Sequence, residues 1–341
     1  MTRTMRAAVL HGAKDLRVEN RDIPPVAPGE ALVAVGSVGL CGSDLHYYLD
    51  GRNGGNVVRS PVVLGHEIGG TVAEVGPDVP NSWLRATVVV EPAMPCRTCA
   101  ACAIGRYNLC DRGACLGSPP TDGGLADYVT VPVTQLHRVP DTLPAQAVPV
   151  LEPLAVAVHA LRRAEFAPGE SVLITGAGPV GLLVAQAARA WGAREITVCD
   201  VDTARLEACR TLGIERAVEP AELGGLRVDR SLECSGASAA LPGVLAATRP
   251  GGRVVLVGTM PAGDIAARLG LVQRYEVDLV GTFRYAASFS AAVDLVERGA
   301  VDVTSLVTAS FPLHEAEAAF SHAVSMAGLK TVVDCGQGTA S

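Results

Sequence analysis

The stretch from Ser171 to Asp200, SVLITGAGPVGLLVAQAARAWGAREITVCD, constrains the chain more than any other. Ser171–Thr175 is a short apolar, β-prone run, and Gly176-Ala177-Gly178-Pro179-Val180-Gly181 matches G-x-G-x-x-G. Leu182–Trp191 is rich in Ala and Leu and free of Pro and Gly, which predicts a helix closed by Gly192. Glu195–Cys199 reads as a second strand, and Asp200 stands at its end, 22 residues after Gly178. Strand, turn, helix, strand and acid in this order predict a dinucleotide-binding unit. Gly176 permits the tight turn, Gly178 lets the backbone approach a pyrophosphate, and Gly181 lets the helix pack close to the sheet. The helix N-terminus offers free N–H groups and a partial positive charge to the phosphates. Asp200 can accept both ribose hydroxyls of NAD and would repel a 2′-phosphate.

The rest of that region continues the pattern. Helix Ala204–Leu212, strand Ala217–Glu219, strand Val228–Cys234, helix Ala239–Thr248, strand Arg253–Gly258 and strand Asp278–Gly281 read in sequence. Alternating βα units imply a parallel sheet covered by helices on both faces. Before residue 150 the texture differs. Short runs such as Met5–Leu10, Leu16–Glu19 and Glu30–Ser37, broken by Gly and Pro, predict an antiparallel β domain. Leu151–Glu165 reads as the helix that joins the two. After helix Ala286–Arg298, helix Leu313–Ser325 and strand Lys330–Asp334 follow, and a terminal β segment suits a return to the first domain. The expected division is 1–150 completed by 286–341, with 151–285 as the nucleotide domain. A length of 341 residues accommodates two such cores.

Charge excludes some partners. The formal net charge is −7 with no basic run, so neither nucleic acid nor an anionic membrane surface is supported. Met1–Leu10 lacks the apolar core of a signal peptide, and no run approaches a membrane span. Ten cysteines in so long a chain do not make a disulfide scaffold, and reduced cytosolic thiols holding metal are the better reading.

Two groups of residues carry that reading. Cys96-x-x-Cys99-x-x-Cys102-x7-Cys110 places four thiols at a spacing that fits one tetrahedral Zn²⁺ in a loop, a closed structural site. An iron–sulfur cluster is the alternative, but the spacing matches no ferredoxin pattern. The second group is dispersed: Cys41-Gly42-Ser43-Asp44-Leu45-His46-Tyr47, then Gly65-His66-Glu67, then Glu152 at a helix start. Singly these read as a buried thiol, a turn histidine and an acid complementing a helix dipole. Together they supply thiolate, imidazole and carboxylate, the ligand types of a catalytic zinc with one open position.

At these motifs the chain resembles the zinc-dependent medium-chain dehydrogenases, in their polyol branch. The resemblance covers nearly the whole chain. It rests on CGSDLHYY at 41–48, Gly65-His66-Glu67 with glycines to Gly76, the four-cysteine lobe, EPLAVAVHA at 152–160, GAGPVGL at 176–182 and GTFRY at 281–285. Within the branch, LEPLAVAVHA and GSPPTDGG at 117–124 are similar to L-idonate 5-dehydrogenases as much as to sorbitol dehydrogenases. The resemblance implies an α/β chain: a Rossmann-type parallel-sheet domain, and a mainly antiparallel β (GroES-like) catalytic domain with a four-cysteine zinc lobe.

It also implies roles. Cys41 and His66 would be firm zinc ligands, Glu67 a ligand or close by, and Glu152 a ligand directly or through water. Asp44 would take the hydrogen bond from the imidazole of His66. Ser43 and His46 would pass the alcohol proton to solvent, and Tyr47, Arg284 and Tyr285 would face the substrate. Gly176, Gly178, Pro179, Val180, Gly181, Val257 and Gly258 would meet the cofactor, with Asp200 and Arg205 at its adenosine ribose. Two zinc ions per subunit and NAD would be the cofactors, in a cytoplasmic homotetramer. The implied reaction is hydride transfer between NAD and a secondary hydroxyl of a sugar acid or polyol. L-Idonate 5-dehydrogenase is the sharper reading; sorbitol or xylitol 2-dehydrogenase is the alternative.

Overall fold

The computed structural model describes residues 3–214 and 216–336. Two compact units divide the chain: residues up to Glu152 together with those from Val303 onward, and Pro153–Asp302. Met1, Thr2 and 337–341, counted in the first domain on sequence, lie outside the described residues.

The first unit is built on antiparallel β structure. A seven-stranded sheet runs in the order Leu136–Arg138, Thr87–Val90, Glu67–Val75, Glu30–Gly39, Lys330–Asp334, Val307–Pro312, and Tyr128–Pro132 pairs with Glu30–Gly39. Thr4–Gly12 lies between Asp15–Asp22 and Val62–Val63 in a second sheet. The C-terminal strand lies in this sheet: Val332, Val333 and Asp334 pair antiparallel with Gly39, Val38 and Ser37. Alternating Val, Leu and Ala on these strands close a core that includes Val33, Val38, Ile68, Val88, Leu125 and Val333.

The second unit carries a parallel six-stranded sheet in the order Arg216–Val218, Glu195–Cys199, Ser171–Thr175, Val228–Glu233, Thr248–Leu256, Asp278–Gly281. All five residues of Ser171–Thr175 are buried, as expected of a strand covered on both faces. The chain lays strands to one side of Ser171–Thr175, then returns to its other side at Val228. The carboxyl ends of these two strands therefore flank the topological switch point, where open α/β sheets bind ligands.

Several boundaries differ from expectation. The return to the first unit falls at Val303, not near 286. Helix Phe289–Glu297 starts later than Ala286 because Arg284 and Ala287 take left-handed φ of 49° and 51°, which no helix accommodates. Strand Thr248–Leu256 begins before Pro250-Gly251-Gly252 rather than after it; the pairing with Val228–Glu233 shifts register there instead of breaking. Helices Gly42–Asp50 and Leu269–Tyr275 and strand Val307–Pro312 were not legible in the sequence pattern.

Candidate active site and metal centres

In the first unit, strand Glu30–Gly39 delivers the chain to Cys41, the N-cap of helix Gly42–Asp50. Asp44 sits at the third helical position and its carboxylate accepts the backbone N–H of Cys41 at 3.0 Å, closing a capping box. The same fully buried carboxylate accepts the backbone N–H of Gly65 at 3.3 Å and faces Nδ1 of His66 at 3.5 Å. Asp44 thus ties the two ligand-bearing segments together and turns Nε2 of His66 away from itself. Burial works against a charged imidazole here, yet the Asp44 carboxylate and Cys41 raise its pKa well above the ordinary value. A metal held here would compete with a proton for this histidine.

The side chains of Cys41, His66 and Glu67 place one ligand atom each within 4.8 Å of one another. Thiolate, imidazole and carboxylate at that spacing fit a zinc ion. Glu152, buried in the first turn of helix Leu151–Arg163, does not join that mutual set among the described residues. Glu67 is 1% exposed, and both of its oxygens accept from Nζ of Lys330, at 2.7 and 2.8 Å. Lys330 also donates to the Leu40 carbonyl at 3.1 Å. Burial alone would lower the Lys330 pKa, but Glu67, Cys41 and Glu152 raise it on balance, so the ammonium stays charged. Gly39 makes room for this arrangement, since a Cβ there would overlap the Glu67 carboxylate. Sequence reasoning missed Lys330; its only signal was a lysine opening an otherwise core-forming strand.

The remaining candidates on helix Gly42–Asp50 separate by exposure. Ser43 is half-buried, while the His46 side chain is 56% exposed and faces Asp50 at 3.6 Å. Tyr47 is buried in the core of the unit.

The four cysteines of the lobe also converge within 4.8 Å. The backbone N–H of Cys99 and the hydroxyl of Thr98 donate to Sγ of Cys96, at 3.3 and 3.6 Å. Hydrogen bonds from Thr98 hold the Cys96 thiol down at about 5, while burial and its neighbours Cys99 and Cys110 push Cys102 up to about 12. Four thiols so crowded cannot all ionise without a cation, and a thiophilic metal is what the set fits. All ten cysteines are free thiols.

In the second unit the glycine-rich turn has the expected form. Gly176 takes φ of 92°, Gly178 caps helix Pro179–Ala190, and a Cβ on Gly181 would overlap the Gly176 carbonyl. Asp200 accepts the backbone N–H of Ala177 at 2.6 Å and that of Asp202 at 2.9 Å. Arg205 lies over the turn, its Nη1 4.0 Å from where a Cβ of Gly178 would stand. Val257 and Gly258 follow the end of strand Thr248–Leu256 and donate to the Glu233 carbonyl, both at 2.8 Å. Arg284 stacks on Phe283 at 5.0 Å. Tyr285 is 0% exposed and meets Phe289 edge-on at 5.0 Å.

Known proteins share both units. Residues 27–141 match the family model of the alcohol dehydrogenase GroES-like domain, and residues 179–298 match that of the zinc-binding dehydrogenase. Sorbitol dehydrogenase of Bacillus subtilis (strain 168) is 36% identical over 330 residues, covering 94% of each chain. A probable D-xylulose reductase A of Aspergillus clavatus is 37% identical, covering 95% of each. The crystal structure of L-idonate 5-dehydrogenase from Escherichia coli superposes with a TM-score of 0.92 at 30% identity, covering 98% of this chain and 99% of that one. With two thiol-bearing sets of candidate metal ligands and a parallel-sheet unit behind these likenesses, the chain belongs to the zinc-dependent alcohol dehydrogenase family, in its polyol dehydrogenase branch.

Proposed function

We propose that the protein transfers a hydride between NAD and a secondary hydroxyl of a sugar acid or polyol, with L-idonate oxidised at carbon 5 as the sharpest form. The observation that carries the reaction class is the cluster of Cys41, His66 and Glu67 backed by buried Asp44 and Lys330. When bound, zinc supplies Lewis acidity towards the substrate hydroxyl and NAD supplies the hydride acceptor. Ser43 takes the proton from that hydroxyl, and His46, open to water beside Asp50, passes it on. Asp44 holds His66 in one tautomer throughout. Lys330 neutralises Glu67, so the site gains no uncompensated charge from that carboxylate. Glu152 lies outside that set of three and would reach the metal directly or through water. Asp200, which excludes a 2′-phosphate, supports NAD over NADP.

Arg284 is the proposed recognition group, pairing with the carboxylate of a sugar acid or with a distal hydroxyl. The polyol reading, sorbitol or xylitol oxidised at carbon 2, is favoured by relatives named sorbitol dehydrogenase and D-xylulose reductase. Free thiols throughout support a cytoplasmic setting, and a homotetramer is the proposed assembly.

NADH formation at alkaline pH against L-idonate, D-gluconate, sorbitol, xylitol, L-threonine and ethanol tests the reading. Preference for L-idonate supports the sugar-acid form. Preference for sorbitol or xylitol replaces it with the polyol form. No NADH from any of them, with both metals loaded, overturns the substrate class.

A further inference from the structure

Glu233 is the most deeply buried acid of the second unit. It ends strand Val228–Glu233 at the switch point and is 0% exposed. Among the described residues no lysine, arginine or histidine pairs with it, whereas half-buried Asp229 on the same strand meets Arg249 at 2.6 Å. An acid buried without a cation is costly unless donors surround it. Here they do. Oε1 accepts the backbone N–H of Ser235 at 2.8 Å, the Ser235 hydroxyl, and the Thr175 hydroxyl at 3.5 Å. Oε2 accepts the backbone N–H of Gly236 at 3.1 Å. The two backbone N–H groups can only donate, so each oxygen of the Glu233 carboxyl serves one of them as an acceptor.

The same residue reaches a third loop through its main chain. Its carbonyl accepts the N–H groups of Val257 and Gly258, both at 2.8 Å, and Cys234 N–H goes to the Thr175 carbonyl at 2.8 Å. Glu233 therefore binds the ends of three neighbouring strands: Thr175 before the glycine-rich turn, Ser235-Gly236 after its own strand, and Val257-Gly258 after the next. These loops leave no slack. A Cβ on Gly176 would stand 2.7 Å from Ser235 N, and one on Gly258 would overlap Gly236 N.

We propose that Glu233 is a positioning residue for the dinucleotide: its carboxylate fixes the Cys234–Ala237 loop, and through it the crevice wall on the far side of the switch point from Asp200. This rests on the NAD reading above and adds to it a residue outside the glycine motif. A dinucleotide lies across the switch point, so its adenosine half is held on the Asp200 side and its nicotinamide half on the Glu233 side. Glu233 then controls affinity for the whole dinucleotide while leaving the adenosine subsite intact.

The test is NADH fluorescence titration, with AMP competition and a melting curve, on full-length wild-type and Glu233→Gln protein. Glutamine is isosteric but sets an NH₂ group against an N–H or hydroxyl donor. Expected is NADH binding weakened at least tenfold with AMP affinity within twofold of wild type. Wild-type NADH affinity in folded Glu233→Gln overturns the inference, as does equal loss of NADH and AMP. Should Glu233→Gln not fold, Ser235→Ala and Thr175→Val carry the test. Each removes one donor and should weaken NADH about threefold, and unchanged NADH binding in both overturns the inference. Wild-type protein that binds no NADH overturns the dinucleotide reading itself; wild-type binding matched by the variant overturns the inference alone.

Discussion

Lys330 and Glu67 meet as a buried ion pair across 263 residues of chain. Such a pair contributes little net stability against an apolar substitute, but removing one partner leaves a buried charge uncompensated. Lys330→Met should therefore destabilise the protein by about 3–5 kcal/mol in urea unfolding, and Glu67→Gln in the same chain should recover much of that. Equal stability of Lys330→Met and wild type would show that the charge is balanced elsewhere. Asp200 receives the N–H of Ala177 and is the proposed acceptor for the cofactor ribose. Asp200→Ala should lower the preference for NAD over NADP about tenfold, the worth of one hydrogen bond to a charged group. Coenzyme kinetics with both nucleotides measure it.

At the scale of elements, the lobe and the parallel sheet depend on different glue. The lobe has one short helix, Ala100–Ala103, and one turn of 3₁₀ helix, Tyr107–Leu109, too little apolar surface to order itself. Cys99→Ser should lower the melting temperature by several degrees and remove one zinc per chain, while an unchanged melting curve and metal content would rule out a structural site. In the sheet, Asp229 anchors the start of Ser171–Thr175, accepting from the Ser171 N–H at 2.8 Å and hydroxyl at 2.7 Å. Partial burial raises the Asp229 pKa, but these bonds and Arg249 outweigh it and hold the carboxyl at about 2. Because the folded value lies below the unfolded one, this stabilisation is complete above about pH 4 and is lost as pH falls towards 2. After discounting for solvent screening it is worth about 1 kcal/mol, so Asp229→Asn should flatten that part of the acid-unfolding curve.

For the whole molecule, two metal sites of different chemistry predict two zinc ions per folded chain by elemental analysis. Cys41→Ser or His66→Ala should leave one, abolish turnover and keep the melting transition; activity in either variant would remove the metal from the reaction. Much of this was legible in the linear chain. The strands Ser171–Thr175, Glu195–Cys199, Asp278–Gly281 and Lys330–Asp334 fall where their apolar runs place them. The glycine motif and the four-cysteine spacing are local signals too, since each requires certain residue types at short separations. Helix Gly42–Asp50 was hidden because its cap is a cysteine and its polar residues follow no clear period. Strand Thr248–Leu256 was shortened because Pro250 and two glycines mimic a turn that the neighbouring strand absorbs as a register shift. The sequence by itself determined most of the element types, the nucleotide motif and the residue types of both ligand sets, because propensity and spacing act over a few residues. Only the tertiary structure decided that Glu67 faces Lys330, that Tyr285 turns inward, and that Glu233 joins three loops. Burial and hydrogen-bond partners at those positions come from strands distant in the chain, and no local pattern records them.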